Sequence, residues 1–142
     1  MANEEQQMIS CIFCDIINGK IPSSKVYEDN NVLGFLDIAP IHPGHTLIIP
    51  KKHSETMFDA QDTDLKNLFL AAKKIGIAIM KSTGATGINI GVNNYKSSGQ
   101  VVFHTHLHVI PRHDNDGLKS WPHGKYSEGE MNEWAEKIKK NL

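Results

Sequence analysis

Cysteine is nearly missing from this chain. Cys11 and Cys14 are the only two, too few for a disulfide framework, so an ordinary packed core and a reducing, cytoplasmic location are expected. No apolar run approaches the ~18 residues that a membrane span needs. The opening MANEEQQMIS is polar and acidic and lacks the apolar centre of a secretory signal. An excess of charge of one sign is lacking too. The formal net charge is -1, which gives no general attraction to nucleic acid or to an anionic membrane; any phosphate must be held by a local site. No internal repeat and no linker is seen. What remains is 142 residues, 39% hydrophobic and 22% charged. That composition predicts a soluble globular protein of one domain over 10–142, with 1–9 as a flexible tail.

Local patterns divide the chain into alternating elements. Ser10 is a candidate N-cap for a short helix, CIFCDIIN from Cys11 to Asn18, ended by Gly19. SKVYED and VLGFLDI (Val32 to Ile38) read as strands joined by an Asp29–Asn31 turn. The loop APIHPGH follows, then HTLIIP (His45 to Pro50), apolar enough for a central strand. Between Thr63 and Ser82, Leu65, Leu68, Phe69, Ala72, Ile75 and Ile79 recur at helical spacing, while Lys66, Lys73, Lys74 and Lys81 fall elsewhere. INIGVNN (Ile88 to Asn94) and VVFHTHLHVIP (Val101 to Pro111) read as two further strands around the polar loop YKSSGQ. Ser127 with Glu130 forms a capping box for a last helix ending near Lys140. This order predicts an α+β fold with a mostly antiparallel sheet.

The segment FHTHLHVIP raises the functional question. Side chains alternate along a strand, so Phe103, Thr105, Leu107 and Val109 would face a core. Val102, His104, His106, His108 and Ile110 would face the other way. One histidine in a strand is usually structural. Three on one face would each need partners for both ring nitrogens, and packing offers no reason for that. The outer two lie roughly 13 Å apart along the strand, which is awkward for one metal ion. A row of imidazoles does suit an elongated phosphate ester. Neutral imidazole is nucleophilic, protonated imidazole donates, and the group titrates near neutrality. Asp37 closes an apolar strand where a carboxylate can face a vicinal diol, though a solvated strand-end Asp would look the same. SSGQ can aim amides at an anion, though so can a plain surface loop.

HTHLHVI resembles the signature of the histidine-triad (HIT) superfamily of nucleotide hydrolases and transferases, and the chain looks Hint-like. The segments Cys11 to Asp29, Phe35 to His53 and Gly91 to Gln100 resemble the family's other segments in order, so the likeness spans about Ser10 to Arg112. The resemblance implies a HIT-like fold, with a five-stranded sheet, one long helix and short N- and C-terminal helices. It implies hydrolysis of purine nucleoside phosphoramidates or diadenosine polyphosphates at the α-phosphate, releasing nucleoside monophosphate. His106 would be the nucleophile, His108 would bond a phosphate oxygen, His45 would stand near the leaving group, and His104 would orient His106. Asn93, Gly99 and Gln100 would cradle phosphate. Asp37 would hold the ribose, and Ile12, Phe13, Ile16, Leu36 and Ile38 would form the base slot. A homodimer is implied, with no organic cofactor. In the phosphoramidase branch the residue after the loop's Gln carries a hydroxyl that assists the leaving group; Val101 stands there and cannot donate. Trp121-Pro122 resembles an element that crosses the dimer in one branch. His42, His113 and His123 receive no role.

Cys11-x2-Cys14 alone is half a tetrahedral thiolate site, a redox pair, or two small core residues. The resemblance implies structural zinc on Cys11, Cys14, His53 and His104. Two other readings stand beside the hydrolase: a nucleotide-binding, zinc-stabilised interaction protein with little turnover, and a hydrolase with a catalytic metal.

Overall fold

The computed structural model describes residues 10–142, so the expected tail at 1–9 lies outside the described residues. The elements are α1 (Ile12–Ile17), β1 (Lys25–Glu28), β2 (Val32–Leu36), β3 (Thr46–Pro50), α2 (Asp62–Thr83), β4 (Gly87–Gly91), β5 (Leu107–Arg112) and α3 (Glu130–Lys139). The strands form one five-stranded sheet in the order β1-β2-β3-β5-β4, and every neighbouring pair is antiparallel. The expected α+β class, element order and long central helix are all present. No helix among the described residues is long and apolar enough to cross a membrane.

The two faces of the sheet carry different loads. Alternation along β3 sends Ile48 to one side and Leu47 and Ile49 to the other. The first side joins Val32, Leu107 and Val109, and α2 covers it with Leu68, Ala72, Ile75 and Ile79. The second side joins Leu33 and Phe35, and α1 covers it with Phe13 and Ile16. Each fully buried Leu, Ile or Phe contributes about 1.5–3 kcal/mol of transfer free energy, so both faces of the sheet stabilise the fold. The apolar stripe expected on α2 holds except at Phe69, which is half-exposed. Gly34 lets α2 sit close, since a Cβ there would lie 3.0 Å from Ile75 Cδ1.

Several local expectations fail for identifiable reasons. Cys11, not Ser10, caps α1, its Sγ accepting the Cys14 N–H at 3.4 Å. The strand expected over Val101 to Pro111 starts only at Leu107. The register that pairs Ile48 with Leu107 would bring Ile49 opposite His106 and then Pro50 opposite Thr105. Proline has no N–H to donate, and the Pro50 carbonyl already accepts from the His104 ring at 2.8 Å. The Thr105 N–H goes instead to the Ser54 carbonyl at 2.8 Å. Thr105 stays buried, but Phe103 is turned outward at 45% exposure and is not part of the core. At α3, the Glu130 carboxylate accepts from the Ser127 N–H and hydroxyl, while Gly129 is the N-cap residue.

Candidate active site

A cleft of about 710 Å³ opens on the α1 side of the sheet. One wall is apolar: Ile12, Phe13 and Ile16 from α1, with Leu36 and Ile38 from the end of β2. Asp37 sits between the last two. Asn93, Gly99 and Val101 form the opposite lip, and His106 and His108 stand at the floor. Ten of the sequence-derived site residues therefore share one cleft. His45 and His104 do not line it; they stand behind the two floor histidines. Gln100 is turned away and 3% exposed. Its Oε1 accepts from the Tyr95 N–H, and its Nε2 donates to the carbonyls of Glu55 and Val102. The amides of Ser98, Gly99 and Gln100 donate within their own loop. The expected cradle of Gly99 and Gln100 amides is thus already spent on folding the loop.

Backbone partners decide where each imidazole carries its proton, because a carbonyl only accepts and an amide only donates. His104 donates from Nε2 to the Pro50 carbonyl, so its Nδ1 is bare. His106 donates from Nδ1 to the His104 carbonyl at 2.7 Å, so its Nε2 keeps a free lone pair. His45 Nδ1 accepts from the Ile41 N–H at 3.1 Å, which puts its proton on Nε2. That proton is donated to His108 Nδ1 at 2.9 Å, leaving His108 with Nε2–H as a donor. Asp37 Oδ2 lies 3.6 Å from His45 Nε2, and Asp37 Oδ1 accepts from the Ala39 N–H. Asp37, His45 and His108 are close enough to resemble a metal site. The proton on His45 Nε2 occupies the lone pair a cation would need, so the group is a hydrogen-bonded relay. Phe13 packs edge-on to both His104 and His106, holding their rings in place.

Burial keeps these rings neutral. It lowers the affinity of His106 for a proton, opposed by the hydrogen bond to the His104 carbonyl. For His108, burial and then the neighbouring His106 and His45 bring the pKa from 6.5 to about 4. Between those values the unfolded chain binds more protons at His108 than the folded chain does. His108 therefore weakens the fold as pH falls from 6.5 toward about 4, and has no effect above that window. Thermal melting near pH 5 should show a lower Tm than near pH 7.5, by an amount that shrinks in His108→Asn. An equal difference in the variant assigns the effect to other groups.

A second cluster lies behind His104. Cys11 Sγ is 3.4 Å and Cys14 Sγ 3.6 Å from His104 Nδ1, Cys14 Sγ is 3.4 Å from His53 Nδ1, and the two Nδ1 atoms are 3.1 Å apart. A tetrahedral zinc with Zn–N of ~2.1 Å and Zn–S of ~2.3 Å has N–N edges of about 3.4 Å and N–S edges of about 3.6 Å. The four donors fit such an ion. His104 Nδ1 is bare, and His53 turns Nδ1 inward although its Nε2 is then buried without a partner. Burial also pushes the Cys14 thiol up to about 11, so charge on that sulfur calls for a cation beside it. When bound, a four-ligand zinc crosslinks α1 to the segments carrying His53 and His104, and it leaves no open position to activate water.

A family model described as the HIT domain matches residues 18–115. The chain belongs to the HIT family. A crystallised protein from Streptococcus mutans is 42% identical, superposes with a TM-score of 0.89, and the match covers 97% of this chain and 88% of that one. An adenylylsulfatase from Arabidopsis thaliana, HINT3, is 44% identical over 108 residues, 76% of this chain and 55% of its own length. A zinc-bound histidine-triad protein from Mycobacterium smegmatis is 34% identical, with a TM-score of 0.75 over 94% of this chain and 98% of that one.

Within this HIT chain the cleft also uses residues that sequence reasoning missed. Ile21, Pro22, Ser23 and Ser24 line it, and the Ser23 hydroxyl is buried without a partner. They lie between α1 and β1 and carry no motif. The signal that points to them is only that the Pro-containing connection follows directly on α1, which lines the cleft.

Proposed function

We propose that the cleft binds a nucleoside 5'-phosphate derivative and hydrolyses it at the α-phosphorus, releasing a nucleoside monophosphate. One observation carries this reading: His106 spends Nδ1 on the His104 carbonyl and presents a neutral, unprotonated Nε2 beside the cleft. In the first step His106 Nε2 forms a bond to phosphorus, and the bond to the leaving group breaks with its electron pair departing on that group. In the second, water attacks phosphorus, the P–N bond breaks, and the nucleoside monophosphate leaves. His108 Nε2–H and the Asn93 amide bind the non-bridging oxygens as charge builds on them. His104 and His45 act from behind, as positioning groups for His106 and His108.

The remaining lining suits a purine nucleoside. Ile12, Phe13, Ile16, Leu36 and Ile38 offer apolar contact to a flat base, and Asp37 Oδ2 can accept from ribose hydroxyls. The HINT3 relative, named as an adenylylsulfatase, supports an adenylyl substrate. A homodimer joined along the β4 edge fits the placement of that strand, whose Ile90 is 44% exposed. A structural zinc on Cys11, Cys14, His53 and His104 completes the assignment.

Val101, 85% exposed on the lip, has no donor for a departing group. A leaving group that departs as a stable anion, such as sulfate or a polyphosphate, suits this lip better than an amine, which must be protonated as it leaves. Adenylyl sulfate, diadenosine tetraphosphate and adenosine phosphoramidate should therefore be compared by release of AMP. The first two are expected to exceed the third in kcat/KM. Release from none of them contradicts the proposed activity, and preference for the phosphoramidate contradicts the role given to Val101.

A further inference from the structure

The carboxylate of Asp116 is not part of the cleft lining yet is one of the most heavily bonded groups among the described residues. Its side chain is 6% exposed. It accepts from Arg112 Nε at 2.6 Å and Arg112 Nη2 at 2.9 Å, from the amides of His113 and Leu118, and from His42 Nε2 at 3.1 Å. Arg112 ends β5, the strand that carries His108, and its Nη1 also holds the Asn89 side chain on β4. His42 sits in the loop between β2 and β3, the loop that delivers His45. Asp116 thus ties the far end of the histidine strand to that loop.

The tie has a chemical consequence at His45. The His42 carbonyl accepts the His45 N–H at 3.0 Å, and the neighbouring Ile41 N–H is aimed at His45 Nδ1 at 3.1 Å. That amide, on the Nδ1 side, and the Asp37 carboxylate 3.6 Å from Nε2 together set which nitrogen of His45 carries the proton, and through it which nitrogen of His108 does. The loop has a second fixed point at Gly44, whose φ is +98° and where a Cβ would lie 2.9 Å from Thr83 Cγ2. Between Gly44 and β2, the His42–Asp116 bond is the side-chain tie that joins the loop to the segment after β5.

We infer that Asp116, with Arg112 and His42, is a positioning residue that locks His45 in its Nε2–H tautomer and so keeps His108 Nε2–H directed at the substrate. The kinetic part of this inference rests on the activity proposed above; the tautomer part does not. Releasing His42 frees the Ile41 amide from its aim. His45 then samples both tautomers, and His108 loses its fixed acceptor role at Nδ1. An Ala at position 116 removes the anchor, as does an Ala at 42. A Gln at 42 can still donate to Asp116 from its side-chain amide.

The test uses full-length protein with 15N-labelled histidine, observed by long-range 1H–15N correlation at neutral pH. In the unmodified protein His45 is expected as Nε2–H and His106 as Nδ1–H. In Asp116→Ala and His42→Ala, the His45 nitrogens should shift toward a tautomer average while the His106 pattern is unchanged; His42→Gln should restore the single His45 tautomer. In parallel, kcat for release of AMP should fall about tenfold in the two Ala variants, with KM within about twofold, and recover in His42→Gln. A His45 pattern that stays Nε2–H in both Ala variants overturns the inference, even if Tm falls, because Asp116 is then only a structural fastener. Absence of turnover in the unmodified protein overturns the proposed activity, and the tautomer spectra still decide the role of Asp116. His42→Ala, at a side chain 22% exposed, keeps the test open if Asp116→Ala does not fold.

Discussion

Replacement of His106 by Ala is expected to lower AMP release by about four orders of magnitude or more, while AMP itself binds within about threefold of its original affinity. The size of the effect follows from the role. Water cannot substitute for a positioned, neutral imidazole nitrogen, and the other groups near phosphorus are placed to donate rather than attack. His108 has its Nδ1 filled by His45, so its Nε2 carries a proton. His45 and His104 do not reach the cleft. Binding should survive because the base slot and Asp37 are built from α1 and the end of β2; of these residues Phe13 packs edge-on against the His106 ring, and its own place in α1 does not depend on that ring. His108→Ala should be milder, removing one donor to the developing charge at a cost of about 10²–10³ in kcat. If His106→Ala retains substantial turnover, the nucleophile is another group and the tautomer reasoning fails with it.

The second large effect is expected from removing zinc. A strong chelator, or Cys14→Ser, should lower Tm by about 10 °C, corresponding to about 3 kcal/mol in a domain of this size. The direction follows from the links. The Cys11, Cys14, His53 and His104 donors lie on α1, after β3 and before β5, and without a cation they leave two thiols facing the bare Nδ1 of His104. Elemental analysis of the purified protein should find one zinc per chain, lost in the variant. Activity should fall with stability, since the His104 carbonyl fixes His106. If chelation abolishes turnover and leaves Tm unchanged, zinc is catalytic; if no zinc copurifies and Tm ignores chelator, the cluster is a plain packing of thiols and imidazoles.

Much of this site was legible in the chain because its parts are short-range patterns. The i, i+2, i+4 spacing of His104, His106 and His108 places three rings on one side of an extended chain. The rings do share a side, although the ladder stops at Leu107, one residue short of His106. The apolar slot was legible for the same reason: Ile12, Phe13 and Ile16 share one side of a short helix. Other features were not, because they depend on what distant backbone does. Nothing local to Gln100 says that its amide turns inward to Glu55, 45 residues away. Nothing local to Asp116 says that it meets His42, 74 residues away. His42 sits in a Pro-Gly loop with no local sign of a role, since its partner Asp116 comes from a distant segment.

A transient bond between His106 Nε2 and phosphorus is the central claim, and it can be seen directly. Protein mixed with adenylyl sulfate should be quenched in alkali within the first turnovers, since a phosphorus–nitrogen bond survives base better than acid, and then digested and weighed peptide by peptide. The peptide containing His106 is expected to carry one adenylyl group, absent from His106→Ala and absent once substrate is exhausted. Rapid turnover with no adenylylated peptide, or an adenylyl group on a different residue, would contradict the account.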